Sequence, residues 1–229
     1  MADSESRCAA PRGTHRLYLG YAPGVGKTYA MLVEARLRAA RGEGVVVGYL
    51  GPHVRPETKK LSEGMETIAP LRVVYHGSEF AELDTDAVVA RHPEWAVIDE
   101  LAHSNVPGME CEKRWQCVEQ ILNAGIGVLS TLNVQHVESL NDYVYQVSGV
   151  RVAETIPDEF VDAADVIVVD IDPEDLLVRL KHGAVMPADE VRPALMHFFR
   201  KRTLVALRER ALAVRSSHSR IIGSVCDES

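Results

Sequence analysis

The stretch Leu17 to Met31, LYLGYAPGVGKTYAM, decides the predicted fold. A short apolar run leads into a loop of small residues, and the loop ends in Gly26-Lys27-Thr28 before a helix-forming segment. A strand, a glycine-rich loop and a helix in this order are typical of a phosphate-binding loop. The glycines let backbone N–H groups turn towards an anion, and the start of the helix adds its positive end.

The loop and the first turn of the helix are predicted to bind the phosphates of a nucleotide. Lys27 would place its ammonium group beside the β- and γ-phosphates, and the Thr28 hydroxyl would be a ligand of Mg²⁺. The predicted nucleotide-binding residues are Gly24, Val25, Gly26, Lys27, Thr28 and Tyr29. The general motif has a glycine where this chain has Tyr21. An ordinary glycine-rich turn with an exposed lysine is therefore the alternative interpretation.

A second stretch, WAVIDE at Trp95 to Glu100, supplies the acids that such a site needs. The apolar strand ends in Asp99 and Glu100, opposite the predicted phosphate loop. Asp99 is expected to hold Mg²⁺ together with Thr28, and Glu100 is the candidate catalytic residue that would orient or deprotonate an attacking water. A solvated strand end is the alternative, because an acid at this place need not face the water.

The composition excludes several classes of protein. The 229 residues suffice for one α/β domain, or one and a half, with a buried core. The net charge of −8 gives no basic field, so nucleic acid is not an expected partner. The four cysteines lack the spacing of a metal site, and no run reaches about 18 apolar residues. Because the N-terminus also lacks a signal-peptide segment, we expect a soluble intracellular chain with free thiols.

Strand and helix patterns alternate along the chain. The predicted strands are Arg16–Leu19, Val45–Leu50, Leu71–Tyr75, 95–98, Gly127–Leu132 and Val166–Val169. The predicted helices are Lys27–Arg41, Pro56–Glu63, Asp84–Arg91 and Lys113–Ala124. Continuous apolar strands that alternate with helices indicate a parallel sheet covered on both faces. The expected fold is α/β, with a doubly wound, mainly parallel sheet of P-loop NTPase type and a C-terminal helical appendage.

The sequence predicts a single folded domain with looser ends. The expected parts are a flexible lead at 1–13, a P-loop ATP-binding α/β domain at 14–186, C-terminal helices packed on it at 187–214, and a loose tail at 215–229. Asp172 is expected to cap the helix that Pro173 opens, although a metal site with Asp170 is the alternative. The basic run at 200–202 could meet a membrane or a partner, or could simply be solvated.

Polar residues that follow two of the predicted strands are candidate sensors of the nucleotide state. His103 follows the Asp-Glu strand, and Asn133 and His136 follow the strand that ends near Leu132. These positions lie on the ligand side of a doubly wound sheet. Each side chain could instead satisfy the loop in which it lies, as lone histidines often do.

Several segments together carry a resemblance to a known family. They are APGVGKTYAML, VIDELAHSNVPG, KRWQ, LNVQHVESLND and ETIPDEFVDAAD, with HFF and ALRE near the end. From about Leu17 to Arg210 the chain resembles the cytoplasmic N-terminal domain of the potassium-responsive sensor histidine kinase KdpD. The resemblance implies an ATP-binding domain on the cytoplasmic side of the membrane, within a membrane-bound sensor. It also implies, outside this chain, a histidine kinase core that passes phosphate to a response regulator.

The chain departs from this family pattern in three places. After the second strand the family usually has Val-Glu-Thr-His-Gly-Arg, whereas this chain has Gly51 in place of the acid but keeps His53 and Arg55, two further candidate sensors. The segments at 109–112 and 201–203 also differ. The family lacks glycine at the place of Tyr21 as well. The departures spare the phosphate loop and fall where water would be positioned or a signal transmitted.

The sequence thus predicts an ATP-binding regulatory input domain, with Mg²⁺ as cofactor and at most slow ATPase activity. In the sensor that it resembles, nucleotide occupancy would modulate the balance of kinase and phosphatase activity. A free-standing P-loop ATPase or small-molecule kinase is the enzymatic alternative, and a natural short protein that partners a separate kinase is another. A GTPase switch is not supported, because the chain has no Asn-Lys-x-Asp motif.

Overall fold

The structure is a computed structural model and describes residues 11–52, 54–182, 198–214 and 220–223. Its strands, in chain order, are β1 (His15–Gly20), β2 (Val45–Tyr49), β3 (Glu66–Thr67), β4 (Leu71–Tyr75), β5 (Ser78–Glu82), β6 (Trp95–Ile98), β7 (Gly127–Asn133), β8 (Asp165–Asp170) and β9 (Arg220–Gly223). Within the described residues, seven of these strands form one sheet in the order β3-β2-β6-β7-β1-β8-β9. Every pairing in this sheet is parallel, as the continuous apolar runs predict.

The order of the strands changes direction at β1. The chain passes from β1 to β2 on one side, returns through β6 to β7 beside β1, and then crosses to β8 on the other side of β1. The connections after β1 and β7 therefore leave in opposite directions, which opens a crevice beyond the carboxyl ends of these two strands. Doubly wound sheets bind their ligands at such a switch point. The α/β architecture is confirmed, and its topology is consistent with a doubly wound fold.

The helices cover the sheet. Those described are α1 (Lys27–Ala40), α2 (Pro56–Lys60), α3 (Thr85–Arg91), α4 (Arg114–Asn123), α5 (Asn141–Ser148), α6 (Asp158–Asp162), α7 (Pro173–Lys181) and α8 (Lys201–Ala213). The predicted cap at Asp172 is confirmed, because one of its carboxylate oxygens accepts from the N–H of Glu174 at 2.8 Å. Asp84 caps α3 in the same way, through the N–H of Ala87 at 2.8 Å. Each cap satisfies one of the N–H groups that a helix start leaves without a partner.

The core lies between the helices and the sheet. The strands β2 and β8 bury nearly all of their side chains, and α1 packs Met31, Leu32 and Ala35 against the sheet. Within the described residues, Cys111 and Cys117 are free and buried. None of the helices in the described ranges combines the length and the apolar character that crossing a bilayer requires.

The structure corrects two predictions about the strands. Leu71–Tyr75 is a strand, but it pairs with β5 in a separate antiparallel hairpin instead of joining the parallel sheet. This hairpin leaves Val74 71% exposed and Phe80 42% exposed. Residues 220–223, within the segment predicted as a loose tail, form β9 and pair in parallel with β8. The main chain of these residues forms hydrogen bonds with the open edge of the sheet at β8. The loose tail was predicted from the polarity of its side chains, which does not reveal main-chain pairing.

Some of the sequence-based predictions lie outside the described residues. They concern most of the flexible lead (1–10), the candidate sensor His53, the first part of the C-terminal helices (187–197), and the remaining tail residues at 215–219 and 224–229.

Candidate functional site

The loop between β1 and α1 has the backbone shape of an anion cradle. Gly24 and Gly26 adopt φ values of 86° and 106°, in the left-handed region that side chains other than glycine rarely enter. Gly26 is also the residue before α1, and no side chain among the described residues caps that helix start. Its first N–H groups are therefore placed to meet an anion. Val25, between the two glycines, is fully buried and anchors the loop.

The glycine at the end of β1 is required by close packing. A Cβ atom at Gly20 would lie 2.5 Å from Cγ2 of Val25 and 3.0 Å from Cδ of Lys27. The next residue, Tyr21, is buried, and its hydroxyl donates to the carbonyl oxygen of Ile171 at 2.9 Å. Tyr21 thus ties the loop to the end of β8. These contacts explain why glycine stands at position 20 in this chain and why tyrosine is accommodated beside it.

Lys27 reaches across the crevice at the switch point. Its ammonium group donates to Oδ1 of Asn133, at the end of β7, at 2.5 Å and to the carbonyl oxygen of Ala22 at 3.2 Å. Burial lowers the pKa of Lys27 from 10.5 to about 8, although the carboxylate of Asp99 opposes this shift. A buried ammonium group with neutral partners binds an anion favourably, because the anion supplies the charge that the pocket lacks.

Asp99 lies beside the start of α1, as the sequence predicts. It is 3% exposed, and the Thr28 hydroxyl donates towards its two carboxylate oxygens at 3.2 and 3.3 Å. The Thr131 hydroxyl of β7 donates to the same carboxylate at 2.5 Å. Thr131 is a site residue that the sequence analysis missed. A polar residue inside an otherwise apolar predicted strand, two places before Asn133, was the available signal.

These oxygens suit a magnesium ion. A hydroxyl and a carboxylate at hydrogen-bond distance are ligands of the kind that Mg²⁺ takes from proteins, and it completes its shell with phosphate and water. Within the described ranges there is no group of three or more His, Cys, Asp or Glu placed to hold a metal without other ligands. Thr28 and Asp99 would therefore hold Mg²⁺ only together with the phosphates of a bound nucleotide.

Glu100 turns away from Asp99. Its φ value is 56°, in the left-handed region, and its carboxylate lies against the backbone of Gly51, after β2. A Cβ atom on Gly51 would be 2.4 Å from Oε1 of Glu100. Because β2 and β7 flank β6 on opposite sides, the carboxylate of Asp99 lies on the β7 side and that of Glu100 on the β2 side. The two acids are adjacent in sequence, but their carboxylates do not converge.

A buried arginine that the sequence analysis did not select fixes this turn. Arg114, the first residue of α4, is fully buried and donates from Nη1 to the carbonyl oxygens of Asp99 and Glu100, each at 3.3 Å. Its Nη2 donates to Glu82, at the end of β5, at 3.2 Å, and its guanidinium lies 3.7 Å from the ring centroid of Tyr49. Arg114 is part of the KRWQ segment, but nothing in the sequence paired it with Glu82.

The other candidate sensors have structural partners. His103 lies 3.1 Å from Glu82 through Nε2, and His136 Nδ1 lies 2.8 Å from the carbonyl oxygen of Glu154. Burial lowers the pKa of His136, and the nearby charge of Lys27 also lowers it. His136 therefore lies near the crevice, whereas His103 contacts Glu82, the acidic partner of Arg114.

The two remaining site candidates differ in their surroundings. Arg55 precedes α2 and is partly buried, and burial followed by the charge of Arg179 lowers its pKa. Two neighbouring positive charges of this kind favour an anionic partner. Tyr29 is half-buried in the first turn of α1.

Comparison with known proteins identifies the family. The family described as KdpD, osmosensitive K⁺ channel His kinase sensor domain, matches residues 11–218. This chain belongs to that family. The match to the KdpD sensor domain includes the loop between β1 and α1, the strand that ends before Asp99, and Arg114 with its partner Glu82.

Named KdpD proteins are similar to this chain over most of its length. Sensor protein KdpD of Mycobacterium tuberculosis H37Rv is 54% identical over 88% of this chain and 24% of its own length. Sensor protein KdpD of Escherichia coli K12 is 49% identical over 91% of this chain and 23% of its own length. Sensor protein KdpD of Clostridium acetobutylicum is 45% identical over 88% and 22%. The chain thus spans about a quarter of the length of these relatives.

Proposed function

We propose that this domain binds Mg·ATP at the switch point and is the regulatory input region of a KdpD-type sensor histidine kinase. One observation carries the proposal. Lys27 and Thr28, at the start of α1, converge with Asp99 from the end of β6 in the crevice beside β7. This convergence supports the proposal, because a lysine, a hydroxyl and an acid meet around the terminal phosphates in P-loop nucleotide sites.

Each group has a distinct role in the proposed site. The N–H groups of the loop from Gly24 to the start of α1 would bind the phosphate oxygens, and Lys27 would exchange its bond with Asn133 for one with the β- and γ-phosphates. Asn133 would then sense whether the ammonium is engaged. When bound, Mg²⁺ would neutralise part of the phosphate charge, with Thr28 and Asp99 as its protein ligands.

The regulatory role follows from the parts that meet at the site. The loop after β1, the turn after β6 and the end of β7 all reach the crevice, so that nucleotide binding can order several connections at once. In the membrane-bound sensor we propose that the domain lies on the cytoplasmic side. There, this ordering would change the ratio of the kinase activity to the phosphatase activity, both of which act on the response regulator. The membrane helices and the kinase core would be supplied by the rest of such a protein.

Calorimetry with ATP and Mg²⁺ tests the binding site. We expect the Lys27→Met variant to bind ATP at least about tenfold more weakly, because it loses a charge-assisted hydrogen bond in a buried site. Lys181→Met, on the exposed end of α7, is the matched control and should bind as the wild type. Equal affinities for the wild type and Lys27→Met would remove the proposed site.

A second measurement separates regulation from turnover. Phosphate release from bound ATP, followed over hours, should be slow for a regulatory binder. Rapid multiple turnover by the isolated domain would instead favour the alternative of a free-standing ATPase or small-molecule kinase. In a complete sensor, Lys27→Met should change the ratio of kinase to phosphatase activity without removing either activity. An unchanged ratio would contradict the regulatory role.

A further inference from the structure

We propose that Gly51 and Arg114 are positioning residues that hold the Glu100 carboxylate outside the nucleotide site, so that the domain binds ATP but turns it over slowly. This inference rests on the proposed nucleotide site and concerns its regulation. Glu100 is the candidate base of the sequence analysis, and its carboxylate lies beside Gly51, after β2.

The place of the carboxylate is defined by contacts on two sides. Gly51 leaves room for it, since any Cβ there would overlap Oε1. On the other side, Nη1 of Arg114 lies 3.6 Å from Oε2 of Glu100. An ionised carboxylate near a guanidinium that cannot move is stabilised in that place.

The arginine cannot follow the carboxylate if it moves. Arg114 is fully buried, and Glu82, its other acidic partner, is 1% exposed. The bonds from Arg114 to two main-chain carbonyls and to Glu82 fix its guanidinium, and the ring of Tyr49 covers one face. The Glu100 side chain, in contrast, is 42% exposed. The carboxylate is thus the more accessible member of the pair.

The main chain of Glu100 is also held by hydrogen bonds. The N–H of Glu100 donates to Oγ1 of Thr131 at 3.2 Å, and its carbonyl accepts from the N–H of His103 at 3.1 Å. These bonds hold a φ value in the left-handed region, which is unfavourable for a residue with a side chain. Because these bonds hold the main chain, we expect any movement of the carboxylate to come from rotation about the side-chain bonds of Glu100.

ATP hydrolysis is the reaction that this position of the Glu100 carboxylate would slow. The water oxygen forms a bond to the γ-phosphorus while the bond from that phosphorus to the bridging oxygen breaks, and ADP leaves with the bonding electrons. A base must accept the proton of the water. A carboxylate that contacts Gly51 and Arg114 is not available for that proton, whereas one that turns towards Asp99 is.

The variant Gly51→Ala tests the inference directly. Gly51 has no positive φ, so alanine fits the backbone, and its Cβ would displace only the flexible end of Glu100. We expect kcat for ATP hydrolysis to rise about tenfold or more, with KM for ATP within about twofold of the wild type. The gain should disappear in the Gly51→Ala/Glu100→Gln double variant. Gly44→Ala, whose Cβ would meet its nearest neighbour at 3.6 Å, is the control and should keep the wild-type rate.

Several outcomes would overturn the inference. Gly51→Ala with normal ATP affinity and a wild-type rate would show that displacing the carboxylate has no effect. A gain that persists with Glu100→Gln would assign the effect to something other than this carboxylate. If Gly51→Ala does not fold, Arg114→Lys keeps one charge for Glu82 but removes the second nitrogen near Glu100, and a folded, ATP-binding variant without a higher kcat would count equally against it. Failure of the wild type to bind ATP would instead overturn the proposed function, and this inference with it.

Discussion

The ammonium of Lys27 lies 2.5 Å from Oδ1 of Asn133, so that the end of β7 and the start of α1 share a hydrogen bond across the crevice. Both partners are placed by the switch in strand order, not by proximity in the sequence. The pKa of Lys27 is lowered to about 8 because the group is buried, and the charge of Asp99 compensates only in part. The protonation of this lysine therefore changes within an accessible range of pH.

We predict that ATP affinity falls as the pH rises above about 8. Bound phosphates favour the charged ammonium, so binding takes up a proton above this pH, and the affinity should fall by up to about tenfold per pH unit. Without ATP the sign is reversed: the folded pKa lies below the unfolded value of 10.5, so stability rises between these two values. Calorimetry at pH 7 to 9 is the measurement. Lys27→Arg should abolish the pH dependence, and the same slope in that variant would refute the assignment.

The second prediction concerns Thr131. Its hydroxyl donates to Asp99 at 2.5 Å, and valine has the same shape without the donor. We expect Thr131→Val to weaken the Mg²⁺-dependent part of ATP binding about tenfold. The reason is that Asp99, the proposed carboxylate ligand of Mg²⁺, loses the hydroxyl that orients it. Binding without Mg²⁺ should change little. Thr67→Val, at an exposed position, is the control, and an unaltered Mg²⁺ dependence in Thr131→Val would mean that Asp99 does not hold the metal.

The third prediction concerns Gly20. A methyl group there would overlap Val25 and crowd Lys27, and neither neighbour can withdraw from the packed loop. We expect Gly20→Ala to lower the free energy of unfolding by about 1–3 kcal/mol and to weaken ATP binding at least tenfold. Denaturant unfolding and calorimetry measure the two effects. Retention of wild-type affinity would show that the loop does not need this close approach.

The fourth prediction compares two acids of the β4–β5 hairpin. Glu82 is buried and bonded to Arg114, whereas Glu79 pairs with Arg72 at the surface. Glu82→Gln should destabilise the protein by about 3–5 kcal/mol, because it leaves a buried guanidinium without its charge partner. Glu79→Gln should cost less than about 1 kcal/mol. Similar losses in urea unfolding would argue against a structural role for the buried pair.

The fifth prediction concerns acid stability. Burial lowers the pKa of His15 from 6.5 to about 3, and the ring lies 2.8 Å from Oγ of Ser130. Between these values the unfolded chain binds a proton that the folded chain does not. Stability should therefore fall by up to about 1.4 kcal/mol per pH unit as the pH drops from 6 to 5. His15→Gln should remove this slope, and an equal slope would assign it to other groups.

The strands and helices with strong patterns were predictable from the sequence, and so was the proximity of Lys27, Thr28 and Asp99 beside the loop between β1 and α1. The strands β1, β2, β6, β7 and β8 are mostly apolar without the alternation of a half-buried strand, which is typical of a parallel sheet covered on both faces. Lys27, Thr28 and Asp99 were found because each stands at the end or start of such an element.

The remaining features depend on contacts that no local pattern records. The β4–β5 hairpin is largely exposed, so its residues do not alternate as a half-buried strand would. Arg114 and Glu82 are 32 residues apart and meet only when α4 packs beside the hairpin. The direction of Glu100 depends on the room left by Gly51, after a different strand. Because Asp99 and Glu100 are adjacent in the sequence, they were predicted to share a site. The main-chain turn at Glu100 instead directs the two carboxylates to different neighbours.

The parallel pairing of residues 220–223 with β8 has a practical consequence for anyone who excises this module. A fragment cut after α8 would keep the whole crevice at the switch point but would leave the N–H and C=O groups of Ile167 to Asp170 facing water along a bare margin. Such a margin recruits strands from neighbouring molecules. Aggregation of that fragment would then reflect the choice of cut, and a boundary placed beyond Gly223 would avoid it.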